Sequence, residues 1–131
     1  MTRVTATFSI QSDRIKPDQI TKDLTYFPDH TVMKGAGRIP PRPVPRSYGW
    51  YVTSSLRDDS TVNEVLSDLL NRLGDLYNQL NKLRDAHPNI MVEFRVAVGS
   101  RPEKVTLYLA ADTVGRLAKF GASLDIDFSD P

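Results

Sequence analysis

The sequence predicts an α+β domain built on one mainly antiparallel sheet, with helices packed on one face of it. Several segments alternate apolar with polar residues, which is typical of strands that bury a single face. A leucine-rich stretch repeats apolar residues every three or four positions, which is typical of an amphipathic helix. These segments follow one another in the order β-α-β-α-β-β-α-β. The length of 131 residues predicts a single domain, 1–131.

The first half of the chain contains two predicted strands and a short helix. Residues 4–10 alternate apolar with polar side chains, which predicts the first strand. Pro17 suits the first turn of a helix, which we place at about 17–25. A second alternating segment at 50–56 predicts a strand, and Trp50 falls on its core-facing side.

The clearest predicted element is a long helix from residue 61 to about 86. Thr61 and Glu64 have the spacing of a capping box, and Pro88 ends the helical pattern. Gly74 lies inside it and indicates a bend or a close contact. The apolar stripe of this helix consists of Val62, Val65, Leu66, Leu69, Leu70, Leu73, Leu76, Tyr77, Leu80 and Leu83.

The second half predicts a hairpin, a short helix and a final strand. Alternation over 90–98 and 105–110 predicts two strands joined by a turn. Apolar residues at 114–120 predict a third helix, for which Gly121 is the C-cap. The last strand covers 124–128. The sheet face away from the helices is then open and polar, and we expect it to carry Thr5, Thr7, Tyr51, Thr53, Glu93, Arg95, Tyr108, Asp125 and Asp127.

Composition narrows the functional classes. The chain has no cysteine, which excludes disulfides, thiol catalysis and cysteine-ligated metals. The formal net charge is only +1, so nucleic-acid binding would need a local basic patch and is disfavoured as the main function. No apolar run approaches the length of a membrane span, and the first residues lack the pattern of a signal peptide. We therefore expect a cytoplasmic protein without a cofactor.

A Pro/Arg-rich loop at about 30–48 is the strongest functional signal. It contains four of the nine prolines and no acidic residue, and its arginines recur every four positions. Such proline density stiffens a chain toward polyproline II, which lowers the entropy lost on binding. Arginine and aromatic residues are also common binding hot spots. We expect this loop, together with the open sheet face, to bind an acidic surface of a partner protein through Lys34, Arg38, Arg42, Arg46, Tyr48 and Tyr51.

Other candidate sites have simpler interpretations. Asp125 and Asp127 share one strand face and are interpreted as a solvated face, with a salt bridge to Arg95. His30 and His87 have no neighbouring ligand of metal spacing and are interpreted as surface residues. We therefore predict neither catalytic residues nor a metal site, and hence a protein that is not an enzyme.

Alternatives remain open. Arginines beside aromatic residues also fit binding of RNA or single-stranded DNA, through backbone contacts and base stacking. An enzyme or small-ligand binder would require a pocket with converging polar groups. The breadth of the leucine stripe on the long helix also fits a homodimer.

Several loose motifs along the chain form a recognisable pattern. They are Phe8-Ser9-Ile10, Pro17 with Ile20, Lys34-Gly35, the strand Trp50 to Ser55, the leucines Leu66, Leu69, Leu70 and Leu73, Gly121-Ala122, and the acidic strand Leu124 to Phe128. With these motifs the chain resembles a widespread bacterial family of small domains of unknown function. The chain departs from the family pattern in Phe128, where a tyrosine is frequent, and in the length of its 38–46 insert. The resemblance implies a cytoplasmic α+β domain, for some members a role as immunity proteins against bacterial toxins, and no catalytic residues.

Overall fold

The computed structural model describes residues 3–37, 43–55, 59–99 and 107–129. The elements in chain order are β1 (Arg3–Ser12), α1 (Pro17–Leu24), β2 (His30–Val32), β3 (Tyr48–Ser55), α2 (Val62–Leu73), α3 (Tyr77–Ala86), β4 (Met91–Gly99), α4 (Ala111–Phe120) and β5 (Ser123–Ser129).

The predicted α+β class and single sheet are confirmed. The strands lie side by side in the order β2-β3-β1-β4-β5. β1 pairs antiparallel with β3 and β4, and β2 pairs antiparallel with β3. β5 is parallel to β4, so the sheet is mixed, because α4 carries the chain back before β5 begins.

The described part of the predicted hairpin partner at 105–110 is not a strand. Residues 107–110 lead into α4 without strand structure, and 105–106 fall outside the described residues. The physical reason lies in the pairing of β4. One side of β4 is occupied by β1, and the other is occupied by β5 along seven residue pairs from Glu93↔Ser123 to Gly99↔Ser129. A strand at 107–110 therefore has no free side of β4 to pair with.

The core lies between the sheet and the helices, and Phe8 of the central strand is in its middle. Its ring centroid lies 6.2 Å from that of Trp50, 5.0 Å from Phe94 and 5.6 Å from Phe120. Trp50 is fully buried, as predicted, and its indole N–H donates to the Thr21 hydroxyl at 3.0 Å. The pairs of Phe8 with Trp50 and with Phe120 are edge-to-face, and such pairs stabilise a fold by about 0.5–1.5 kcal/mol each beyond their burial.

The predicted long helix is broken into α2 and α3 at Gly74. The capping box at its start is confirmed, since Thr61 and Glu64 each accept the other's backbone amide. Gly74 has φ +57° and ψ −127°, a conformation that residues with a Cβ rarely adopt. The break lets α2 pack on β1 and β3 while α3 packs on α1. The leucines of the stripe are therefore buried inside the same chain.

The outer edge of β3 is closed by β2 and then by two charged side chains. Beyond β2, the Asp29 amide donates to the Tyr51 carbonyl at 2.8 Å, and the Asp29 carboxylate accepts from the Thr53 amide at 2.8 Å. Arg72 of α2 donates to the Thr53 carbonyl and pairs with Asp29 at 3.3 Å. Unpaired edge groups invite further strands, so these contacts protect this edge of the sheet.

The conformation of Gly74 reverses the sign of the stability change that Gly74→Ala would cause in a continuous helix. Within a continuous helix, Gly74→Ala would raise the free energy of unfolding by about 1 kcal/mol. With φ at +57°, we expect it to lower that energy by about 1 kcal/mol or more. Gly115→Ala is the matched control, because Gly115 lies within α4 with open space around it. This substitution should stabilise the fold. Urea unfolding of both variants measures the two changes in the free energy of unfolding. Stabilisation by Gly74→Ala would contradict the helix break at Gly74.

Removing the Asp29 carboxylate should weaken the closed edge. Asp29→Ala leaves the Thr53 amide without its acceptor and Arg72 without its counter-charge. We expect the free energy of unfolding to fall by about 1 kcal/mol. It should also increase concentration-dependent association, measured by size-exclusion chromatography. Asp85→Ala on the exposed side of α3 is the control. Equal behaviour of the two variants would show that Asp29 does not protect the edge.

Candidate functional site

The base of the Pro/Arg-rich loop is a continuation of the β2–β3 ladder. Residues 30–32 of the loop form β2, and 33–47 connect it to β3. The Gly35 amide donates to the Pro45 carbonyl at 2.9 Å, which adds a backbone bond beyond the strands. The Lys34 ammonium donates to the Asp13 carbonyl at 3.0 Å and so ties the loop to the turn after β1. The loop therefore leaves the sheet from a defined position.

The structure distributes the six predicted contact residues unevenly. Lys34 and Arg46 are both exposed, one on each side of the loop base. Tyr48 and Tyr51 lie on opposite faces of β3, because they are three residues apart in a strand. Tyr48 is opposite Ser12 at the end of the sheet. Arg38 and Arg42 lie outside the described residues.

Tyr51 lies flat on the open sheet face. A side chain at Gly49 would come within 2.5 Å of the Tyr51 ring, so only glycine two residues earlier leaves room for it. On the neighbouring strand His30 is directly opposite, and its ring centroid is 5.5 Å from that of Tyr51. The two rings form a small aromatic platform next to the loop.

The rest of the open sheet face is polar, as predicted. One row across the sheet runs from His30 through Tyr51, Ser9 and Glu93 to Ser123, and the next runs from Thr53 through Thr7 and Arg95 to Asp125. Of the side chains in these two rows only Ser9 is buried, and the others are half-buried or exposed. The predicted member Tyr108 is an exception, since it precedes α4 and is not in the sheet.

The charges on the open face are concentrated on β4 and β5. Arg95 pairs with Asp125 at 3.2 Å, which confirms the salt bridge predicted from the sequence, and also with Glu93 at 3.5 Å. Asp127 lies further along β5, opposite Ala97. This side of the face therefore carries three carboxylates and one guanidinium, whereas the described charged residues of the loop, Lys34 and Arg46, are cations.

Two adjoining clefts open at the end of the sheet from which the loop leaves. The smaller one, about 110 Å³, lies between the turn after β1 and the turn before β4 and includes Ile15 and His87. The larger one, about 340 Å³, extends to Ser47 and Met91. Both are lined by Ser12, Asp13, Arg14 and Asn89.

Ser12 holds the turn that forms one wall of both clefts. Its hydroxyl accepts from the amides of Arg14 and Ile15 at 3.1 and 3.0 Å, which holds the turn after β1. The clefts are therefore built from short polar turns.

Exposed apolar side chains lie close to Lys34 and Arg46 in the sequence and at the same end of the sheet. Met33 and Val44 belong to the loop base and Met91 begins β4, and they are 48%, 54% and 62% exposed. Methionine and arginine are enriched in protein interfaces, whereas lysine is depleted there. This end of the sheet, defined by Gln11, Ser12, Lys34, Arg46, Tyr48 and Met91, is called the loop end below.

The remaining candidate groups have structural partners. The Ser54 hydroxyl is buried under α2 and donates to the Asp68 carboxylate. His30 and His87 are exposed, as predicted.

Within the described residues no group of three or more His, Asp or Glu side chains could hold a metal ion. The helices in the same part of the chain lack the length and the apolar composition that a membrane span requires.

Sequence reasoning missed the contributions of His30, Arg14, Asn89 and Met91 to this surface. β2 is only three residues long, which is too short for a recognisable alternation, so nothing indicated that His30 faces Tyr51. Met91 could have been found, because it is a large apolar residue on the polar side of an alternating strand. Arg14 and Asn89 lie in turns whose proximity follows only from the pairing of β1 with β4.

Comparison with known proteins places the chain in a family. No curated protein and no solved structure matches it. The model of DUF4279, a domain of unknown function, matches residues 2–131, which is nearly the whole chain. This confirms the family of small unknown-function domains predicted from the motifs. The chain belongs to the DUF4279 family.

Proposed function

We propose that this domain is a cytoplasmic, non-enzymatic protein-binding module that engages an acidic surface of its partner with the loop end and the adjoining open sheet face. An immunity-type inhibitor of a bacterial toxin is the specific form of this proposal. Such an inhibitor needs no catalytic group, because a basic loop that covers an active site acts by blocking access to it.

The observation that carries the proposal is the combination of the anchored Lys34, the exposed Arg46 and the exposed apolar groups at the loop end. Lys34 is held by the Asp13 carbonyl, and Gly35 is bonded to Pro45, so the base of the loop is ordered before binding. Met33 and Met91 supply apolar area beside it. A pre-ordered contact surface loses less conformational entropy on association.

The charge distribution favours a protein over a nucleic acid. The open face carries Glu93, Asp125 and Asp127, which would repel a phosphate backbone laid across the sheet. A protein partner can match an acidic patch to the loop end and a basic patch to the far side of the sheet. The aromatic platform of His30 and Tyr51 is the feature that favours the alternative, because single-stranded RNA or DNA bases stack on such rings.

The first test is capture of the partner from a lysate of the source cell. The intact chain is compared with a variant whose residues 36–47 are replaced by a Gly/Ser linker. We expect one protein to be retained by the intact chain only, since the linker removes the segment that is rich in proline and arginine. Equal retention would contradict the role of the loop. Retention that is lost on nuclease treatment, or oligonucleotide binding that falls steeply between two salt concentrations, would replace the proposal with the alternative.

Charge reversal in the loop should slow association with the captured partner. The double variant Arg42→Glu and Arg46→Glu is expected to lower the association rate by about tenfold or more at low salt, because opposite charges steer the encounter. The effect should shrink at high salt. Stopped-flow or biosensor kinetics measures both.

The matched control reverses two cations on the helical layer, Lys22→Glu and Lys82→Glu, which changes the net charge equally. We expect the control to alter the association rate far less than the loop variant does. Equal effects of the two double variants would show that net charge, and not the loop, governs the encounter.

A further inference from the structure

The two edges of the sheet differ in how their backbone groups are covered. The β3 edge is covered by β2, and the groups beyond it are bonded to Asp29 and Arg72. At the opposite edge, β5 is the outermost strand, and no strand of the described residues lies beyond it. Within the sheet formed by the described residues, one side of the β5 backbone is thus not used. Edges of this kind accept an added strand through main-chain hydrogen bonds.

The core is incomplete on the helix side of β5. Leu124 and Ile126 are only half-buried although they pack against the core, and Phe128 is 48% exposed. Their counterparts on β4, such as Phe94 and Val96, are fully buried. A further strand beside β5 would cover the same side chains with its own apolar residues, in the way β5 itself covers β4.

The other side of β5 is acidic. Asp125 and Asp127 project from the open sheet face, and both are exposed. Asp125 is paired with Arg95 at 3.2 Å, whereas the residue opposite Asp127 on β4 is Ala97. A cation on an added strand would lie directly across from these carboxylates, where opposite charges stabilise strand pairing.

The pattern of β5 disfavours pairing with a second copy of itself. Residues that lie opposite each other in adjacent strands point to the same face of the sheet. Any register that keeps Leu124 and Ile126 of both copies on the core face therefore sets the aspartates of the two copies opposite each other or diagonally adjacent. Like charges in these positions destabilise the pair, so the added strand should come from a chain with a different pattern.

We propose that the free edge of β5 binds an extended segment of a partner protein in which apolar residues alternate with lysine or arginine. Backbone hydrogen bonds to β5 supply the affinity. The apolar residues cover Leu124, Ile126 and Phe128, and the cations face Asp125 and Asp127. This site is separate from the loop end and does not depend on the function proposed for it.

A capped, fluorescently labelled peptide that alternates valine with lysine tests the proposal on the intact chain. We expect saturable binding, measured by fluorescence anisotropy, and much weaker binding of a peptide with the same residues but with all lysines at one end. Two further peptides carry N-methyl groups on alternate residues. One of these should lose binding, because its methyl groups replace the N–H groups that pair with β5, and the other should retain it. Equal binding of both methylated peptides would overturn the proposal.

Variants of the chain test the charge match. Asp127→Lys should weaken binding of the alternating peptide by about fivefold or more, since it turns a favourable cross-strand charge pair into a repulsive one. Asp85→Lys changes the net charge equally at an exposed position of α3 and should have little effect. Identical affinities for the two variants would overturn the charge match.

Amide hydrogen exchange locates the peptide on the chain. The β5 amides should exchange more slowly in the complex. Slowing confined to the loop end would overturn the edge assignment. The loop variant with Arg42→Glu and Arg46→Glu should bind the peptide no more weakly than the intact chain, so failure of one proposal leaves the other standing.

Discussion

The packing of Phe8 against the rings of Trp50, Phe94 and Phe120 is the interaction on which the rest of the structure depends. Phe8 lies on the central strand, so these contacts join β3, β4 and α4 to one face of β1. Side chains alternate between the two faces of a sheet. In every strand that keeps this register, the residues between the core-facing ones therefore point to the opposite face. A single one-sided core therefore produces the second main feature of the domain, which is a polar sheet face with mostly half-buried and exposed side chains.

The open face and its borders carry charge in an ordered way. Cations gather at the loop end, where the chain leaves the sheet between β2 and β3, and carboxylates gather on β4 and β5. The two sheet edges differ as well, since Asp29 and Arg72 close one edge and the other ends on a strand with half-exposed apolar side chains. A domain with this distribution can hold a partner at two places without any change in its own core.

The sequence predicts well those features that depend on local periodicity. The long alternations of β1 and β4, the capping box at Thr61 and the burial of Trp50 follow from short-range patterns. The parallel placement of β5 depends on competition for the edge of β4, which no local pattern records. For the site, the basic loop is evident from composition, and strand alternation separates Tyr48 from Tyr51. The meeting of His30 with Tyr51, and of Arg14 with Asn89, depends on long-range pairing and could not be predicted.

Site-specific photo-crosslinking inside the source cell tests the central claim most directly. A photoreactive phenylalanine analogue replaces Tyr51 on the open face in one variant, Arg46 at the loop end in a second, and Asn78 on the exposed side of α3 in a third. The account predicts that the first two variants form an adduct with the same protein, and that the third does not. An adduct formed only from position 78, or adducts of nucleic acid from positions 46 and 51, would contradict it.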